Sequence, residues 1–182
     1  MTSSSSLRAS RLQVLACCAA IFMSGLARAG QEQVSYDVVV YGGTAGGVMA
    51  AIAAAGEGAR VALLEPRRHV GGMVTGGLGR TDFDNQEHVI GGMAREFFER
   101  LGKHYGQPIA WTFEPHVAEH VFQDWLRAAG VEVLFGHRLE SVNKAGKRIL
   151  RLRMENGAVF TAKVFIDTTY EGDLMARAGV SY

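Results

Sequence analysis

Tyr36-Asp37-Val38-Val39-Val40-Tyr41-Gly42-Gly43-Thr44-Ala45-Gly46-Gly47 is the stretch that decides the fold. Its first half is rich in β-branched and aromatic residues, the signature of a strand buried on both faces of a parallel sheet. Its second half is a glycine turn. Val48 to Ala55 follows, rich in alanine and free of proline, and gives way to Gly56 and Gly58, so a helix is predicted there. Arg60 to Leu64 is a second apolar strand that closes at Glu65. Strand, glycine turn, helix and strand make one βαβ unit, whose crossover should be right-handed.

Downstream, Arg67 to Asn85 is a glycine-dense loop. Ala94 to His104 reads as a helix with Phe97, Phe98 and Leu101 on one face. Glu114 or Pro115 to Ala129 reads as another, with Val117, Val121, Phe122, Trp125 and Leu126 at helical spacing before Gly130. Val131 to Phe135 is a strand. Arg138 to Val142, Ile149 to Met154 and Ala158 to Ala162 alternate in polarity around turns at Lys144-Ala145-Gly146 and Glu155-Asn156-Gly157, which suits an antiparallel meander. Lys163 to Asp167 is read as a further apolar strand, and Glu171 to Ala178 as a last helix. The fold class is therefore α/β, with a parallel sheet plus a three-stranded antiparallel meander.

The glycine turn reads as G-x-G-x-x-G with Gly42 at the tight turn, Gly47 where helix packs on strand, and Thr44 in place of the second glycine. Because it follows a strand and opens a helix, it marks an anion site at the helix N-terminus. Glu65, at the end of the second strand, is placed to accept hydrogen bonds from both hydroxyls of an adenosine ribose, and its charge disfavours a 2′-phosphate.

Three blocks together resemble one family. Tyr36 to Gly47, Glu65-Pro66-Arg67-Arg68-His69-Val70-Gly71-Gly72-Met73, and Phe165-Ile166-Asp167-Thr168-Thr169-Tyr170-Glu171-Gly172-Asp173-Leu174 look like the FAD-dependent oxidoreductases of the glutathione-reductase-type Rossmann fold. The resemblance covers nearly all of residues 36 to 182. It implies that Gly42, Gly43, Thr44, Ala45 and Gly47 cradle the FAD diphosphate and that Glu65 holds the ribose. It implies that Arg67 or Arg68 flanks the adenosine, and that Gly71, Gly72 and Met73 run along the diphosphate toward the flavin. Leu139 matches the position whose backbone reads the adenine edge, and Asp167 to Thr169 the segment that passes close to the cofactor. Arg80 and Asp82 would lie on the flavin side, toward a small-molecule substrate. NAD in place of FAD fits the second and third blocks less well. The resemblance also implies a longer protein. It predicts a later strand, a Gly-Asp pair for the ribityl chain and a substrate domain, so the chain is expected to be the N-terminal part, completed by a missing C-terminal half or another polypeptide. A non-catalytic, truncated nucleotide-binding remnant is the alternative.

One motif proposes a different chemistry. His116-Val117-Ala118-Glu119-His120 matches H-x-x-E-H, which puts two histidines on one helix face and would make Glu119 the general base of a zinc hydrolase. No convincing third ligand follows it, and two half-exposed histidines on an amphipathic helix are the plainer reading.

The N-terminal segment reads as an export signal. Arg8 and Arg11 precede an apolar run from Leu12 to Met23, and Ala27-Arg28-Ala29 suits cleavage after Ala29, which leaves residues 30 to 182 as the mature domain. An uncleaved anchor and a lipoprotein built on Cys17 are the alternatives. Cleavage removes both cysteines, Cys17 and Cys18, and so excludes disulfides and cysteine–metal sites from the mature protein. Losing Arg8, Arg11 and Arg28 with no acid takes the formal charge from +1 to −2, without the basic stripe that nucleic-acid binding leaves. A periplasmic or secreted protein, with no membrane association after cleavage, is expected. The arginines are not adjacent, so a twin-arginine route is not indicated, and FAD would then be acquired after export.

Overall fold

The computed structural model describes residues 34–78, 81–83 and 85–181, so the segment read as an export signal lies outside the described residues. In chain order the elements are β1 (Val34–Tyr41), α1 (Ala45–Gly56), β2 (Val61–Glu65), a 3-10 turn (Glu87–Val89), α2 (Gly92–His104), α3 (Pro115–Ala128), β3 (Glu132–Phe135), β4 (Leu139–Ala145), β5 (Arg148–Met154), β6 (Val159–Asp167) and α4 (Asp173–Arg177). They build one six-stranded sheet in the order β3-β2-β1-β6-β5-β4. Its β3, β2, β1 and β6 are mutually parallel, and β4, β5 and β6 form the antiparallel meander.

Alternation along the central strands divides the core in two, because successive side chains of a strand point to opposite faces. Val40, Val61 and Leu63 pack with Val48, Ala51 and Ile52 of α1 and with Phe97, Leu101, Phe122 and Trp125 of α2 and α3. Val39, Tyr41, Ala62 and Leu64 face the other way, onto Leu139, Leu152, Met154, Phe160 and Leu174. The apolar runs 38–41 in β1 and 61–64 in β2 reflect burial on both faces. In the helical layer Phe97 and Phe122 stack with centroids 4.4 Å apart, and the Arg100 guanidinium lies 4.2 Å from the Trp125 ring centre. Truncating a buried Phe122 to alanine is expected to cost about 3–5 kcal/mol.

Helix boundaries follow local chemistry. Pro115 opens α3 at a position where its missing N–H costs nothing. Gly130, at φ +72, closes that region as Val131 N–H donates to the Leu126 carbonyl. α4 starts at Asp173 rather than at Glu171, because Gly172 stands in the left-handed region at φ +67.

One sequence expectation is corrected. Ala158–Ala162 and Lys163–Asp167 are not two strands but the continuous β6. Nothing at the Ala162-Lys163 junction breaks a strand. Phe160 is shared between Leu152 of β5 and Val34 of β1, and the strand then runs on along β1 to Tyr41↔Asp167. The last strand of the meander is thus also the fourth parallel strand.

Candidate cofactor-binding site

Register brings three strand ends level. Tyr41 of β1 lies beside Leu64 of β2 and beside Asp167 of β6. The chain leaves β1 toward β2 and β3 on one side and returns to β6 on the other, so the gap between β1 and β6 is a topological switch point. Ligands of open α/β sheets bind outside the carboxyl ends of the strands at such a point.

The glycine loop is shaped by what surrounds it. Gly42 has φ +104 and donates its N–H to the Leu64 carbonyl at 2.9 Å. A Cβ there would come within 2.8 Å of the Thr169 backbone nitrogen. A Cβ at Gly47 would collide with the Gly42 carbonyl and come within 2.6 Å of Thr168 Oγ1. Thr44 needs no such freedom, since its φ −66 and ψ 170 are those of an ordinary helix N-cap. Its Oγ1 accepts the Gly47 N–H at 3.2 Å and donates to the Thr168 carbonyl at 2.8 Å. The threonine therefore caps α1 and ties the loop to the segment after β6. With the Gly47 N–H on Thr44 Oγ1 and the Val48 N–H on the Thr44 carbonyl, the Ala45 and Gly46 amides remain at the helix end. That is the arrangement that receives an anion.

Glu65 is buried at 8% exposure and binds both sides of the loop system. Its Oε2 accepts the Gly43 N–H and its Oε1 the Arg67 N–H, each at 2.7 Å. Each oxygen keeps a second lone pair for a further donor. The Gly43 carbonyl in turn accepts the Gly71 N–H at 2.6 Å, and Thr44 and Gly71 form an isolated parallel bridge. The two glycine segments are stitched together beneath a cavity of about 920 Å³, within the range of pockets that enclose organic ligands.

Of the residues expected to meet the cofactor, Gly42, Thr44, Glu65, Arg67, Gly72 and Met73 line this cavity, as do His116 and Glu119 of the H-x-x-E-H motif. Gly43, Ala45, Gly47 and Gly71 are not among its lining residues. Three others are placed elsewhere. Arg68 is exposed, and Arg67 stands at the wall instead. Leu139 is 1% exposed, and its N–H donates to the Tyr41 hydroxyl at 2.9 Å, so that amide is not offered to a ligand. Its neighbour Arg138, just before β4, stands at the wall. The Asp167 carboxylate serves its own chain. Oδ1 accepts from Thr169 N and Oγ1 at 3.0 and 2.8 Å, and Oδ2 accepts the Met175 N–H at 2.8 Å, in the first turn of α4. Asp167 organises the wall and is not part of it. Burial pushes the Tyr41 phenol up, keeping it neutral as a partner for Leu139.

Thr169, from the segment expected to pass close to the cofactor, stands at the wall, as do Tyr170 and His69, which were not assigned roles from the sequence. Arg80 lies outside the described residues, and Asp82 is exposed. The H-x-x-E-H motif does not assemble a metal centre. Glu119 is held by His69 Nδ1 at 3.0 Å and by Gln123 Nε2 at 3.2 Å. Among the described residues no three His, Cys, Asp or Glu side chains are grouped to hold a metal ion. No described helix is long and apolar enough to cross a membrane.

Comparison with known proteins agrees with this geometry. Residues 37–182 match the family described as FAD dependent oxidoreductase. No curated protein sequence matches the chain. Among solved structures, L-proline dehydrogenase from P. horikoshii superposes with a TM-score of 0.61 at 15% identity, covering 82% of this chain and 57% of that one. The flavin-dependent brominase Bmp2 gives 0.60 at 17% identity, over 81% of this chain and 41% of that one. Thermovibrio ammonificans THI4 gives 0.58 at 21% identity, over 100% and 73%. At these identities the likeness is one of fold, and this chain spans about half the length of the first two structures. With the family matched across the whole βαβ unit, the meander and the cavity, the chain belongs to the FAD-dependent oxidoreductases and its cofactor is FAD.

Proposed function

We propose that this chain holds FAD non-covalently in the cavity at the ends of β1, β2 and β6, as the dinucleotide-binding part of an exported oxidoreductase that acts on a small molecule. The observation that carries the reading is Glu65, whose buried carboxylate is fixed by two backbone N–H groups at the edge of a glycine-walled cavity. A carboxylate fixed in this way is ready to accept ribose hydroxyls without reorganisation. The open amides of the first turn of α1 receive the diphosphate. Arg67 and Arg138 flank the adenosine end beside Glu65. When bound, FAD supplies the electron-transfer chemistry, and the protein supplies position and electrostatics.

Substrate selection and turnover belong, in this reading, to protein that extends the chain or completes it. The reading is supported by the share of the two structures above that the chain spans. An absorbance titration of the full chain with FAD, followed by desalting, tests the binding function. Flavin bands that survive desalting are expected. A folded protein that retains none would leave only a nucleotide-binding remnant. Export is tested separately, by N-terminal sequencing of protein recovered outside the cytoplasm, where a start at Gly30 is expected and an intact Met1 would refute cleavage.

A further inference from the structure

We propose that Tyr170 is a positioning residue for the cofactor, its hydroxyl holding the Gly71–Leu78 loop in the conformation that walls the cavity. This rests on the FAD reading above. The loop's first residue is tied to the glycine turn through Gly71 N–H and the Gly43 carbonyl. Further along, the loop's hydrogen bonds are mostly its own. Val74 N–H meets the Gly71 carbonyl, Gly76 N–H the Met73 carbonyl, and Thr75 Oγ1 the Val70 carbonyl at 2.6 Å. Between Gly72 and Leu78, the hydrogen bond among the described residues that reaches another element is Met73 N–H to the Tyr170 hydroxyl, at 2.9 Å.

The two partners are built for each other. Gly72 stands at φ +57, and a Cβ there would collide with the Tyr170 hydroxyl and lie 3.1 Å from Cζ. The phenol can reach the Met73 amide only across a residue with no side chain. Tyr170 is itself set on a rigid base. Asp167 fixes Thr169 and the first turn of α4, and Thr169 Oγ1 accepts the Asp173 N–H at 3.0 Å. The ring is nonetheless 57% exposed and lines the cavity, as do Met73 at 56% and Leu78 at 64%. A side chain this open contributes little to the core. Its hydrogen bond joins the β2 side of the cavity to the β6 side, across the path of the diphosphate.

The test compares Tyr170→Phe, Tyr170→Leu and Gly72→Ala in the full chain. Tyr170→Phe removes the acceptor and keeps the ring. Without FAD, amide exchange at Met73 is expected to speed up in Tyr170→Phe by about three- to tenfold, the scale of one neutral hydrogen bond, with the melting midpoint unchanged. FAD binding is expected to weaken by about the same factor in both tyrosine variants, and in Gly72→Ala by at least as much. If Tyr170→Phe binds FAD like the wild type while Tyr170→Leu does not, the ring and not the hydroxyl matters, and the proposal fails. Unchanged Met73 exchange in Tyr170→Phe overturns it as well. Exchange is read without FAD, so a wild-type chain that binds no flavin would sink the flavin reading and still leave the tie itself decided.

Discussion

Replacing Glu65 by glutamine changes one atom of the site and tests how the two glycine segments are held. The carboxylate accepts the Gly43 and Arg67 amides at 2.7 Å each, from a position only 8% exposed. A hydrogen bond to a charged acceptor contributes about 1.5–3 kcal/mol, and a buried donor left facing another donor costs about 1–3 kcal/mol. Glutamine keeps one oxygen for one amide and presents an NH2 group to the other. Rotation of the amide only exchanges which of the two donors the NH2 faces, so the loss is not recovered that way. The expected destabilisation is about 2–3 kcal/mol, which lowers the melting midpoint by on the order of 5–10 °C for a chain of this size. FAD affinity is expected to fall about tenfold or more, since one ribose hydroxyl also loses its acceptor. Calorimetry with and without FAD reads both quantities. Glu65→Gln melting within ~1 °C of the wild type would refute the claim that this carboxylate pins the loops.

Further outcomes follow from the same geometry. Gly47→Ala forces a Cβ onto the Gly42 carbonyl and Thr168 Oγ1, so a loss of at least about 1–3 kcal/mol and loss of FAD retention are expected. In Gly46→Ala the new Cβ meets nothing nearer than Thr44 Oγ1 at 3.7 Å, and denaturation midpoints should stay level or rise. Burial, followed by the hydrogen bond to Glu132, pushes the Tyr36 phenol up to about 12. Its folded-state value thus lies above the unfolded one, so its contribution is full below about pH 10 and is lost as pH rises toward 12. Denaturation midpoints should fall through that window, and Tyr36→Phe should flatten the fall. Substituting His120, which does not line the cavity, with alanine should leave flavin retention and metal content unchanged, and a stoichiometric zinc ion lost in that variant would revive the hydrolase reading.

Much of this was legible in the residues, for physical reasons. A strand segment buried on both faces has to be apolar, so the runs within β1 and β2 stand out, and Gly42 and Gly47 of the turn answer to contacts that no Cβ survives. Glu65 was legible because a strand-end acid after a βαβ unit has few other uses. What sequence could not supply was the direction of individual groups. Leu139 and Arg138 are adjacent at the start of β4, and Arg138 meets the cavity while Leu139 is buried. Asp167 looked like a ligand because it sits beside the site, whereas its carboxylate accepts from Thr169 and Met175 and does not line the cavity. Whether β6 was one strand or two depended on a change of partner at Phe160, which leaves no mark in polarity. Tyr170 was in plain view in the third block, but its partner is the Met73 amide, and a backbone amide has no sequence signature.

The most direct test of the central claim is the absorbance spectrum of the full chain after incubation with FAD and desalting. Flavin bands at near one equivalent per chain, lost in Gly47→Ala, would establish that the glycine turn, Glu65 and the loop beneath Tyr170 form a working cofactor site. A folded, soluble wild-type chain that emerges without flavin would contradict it.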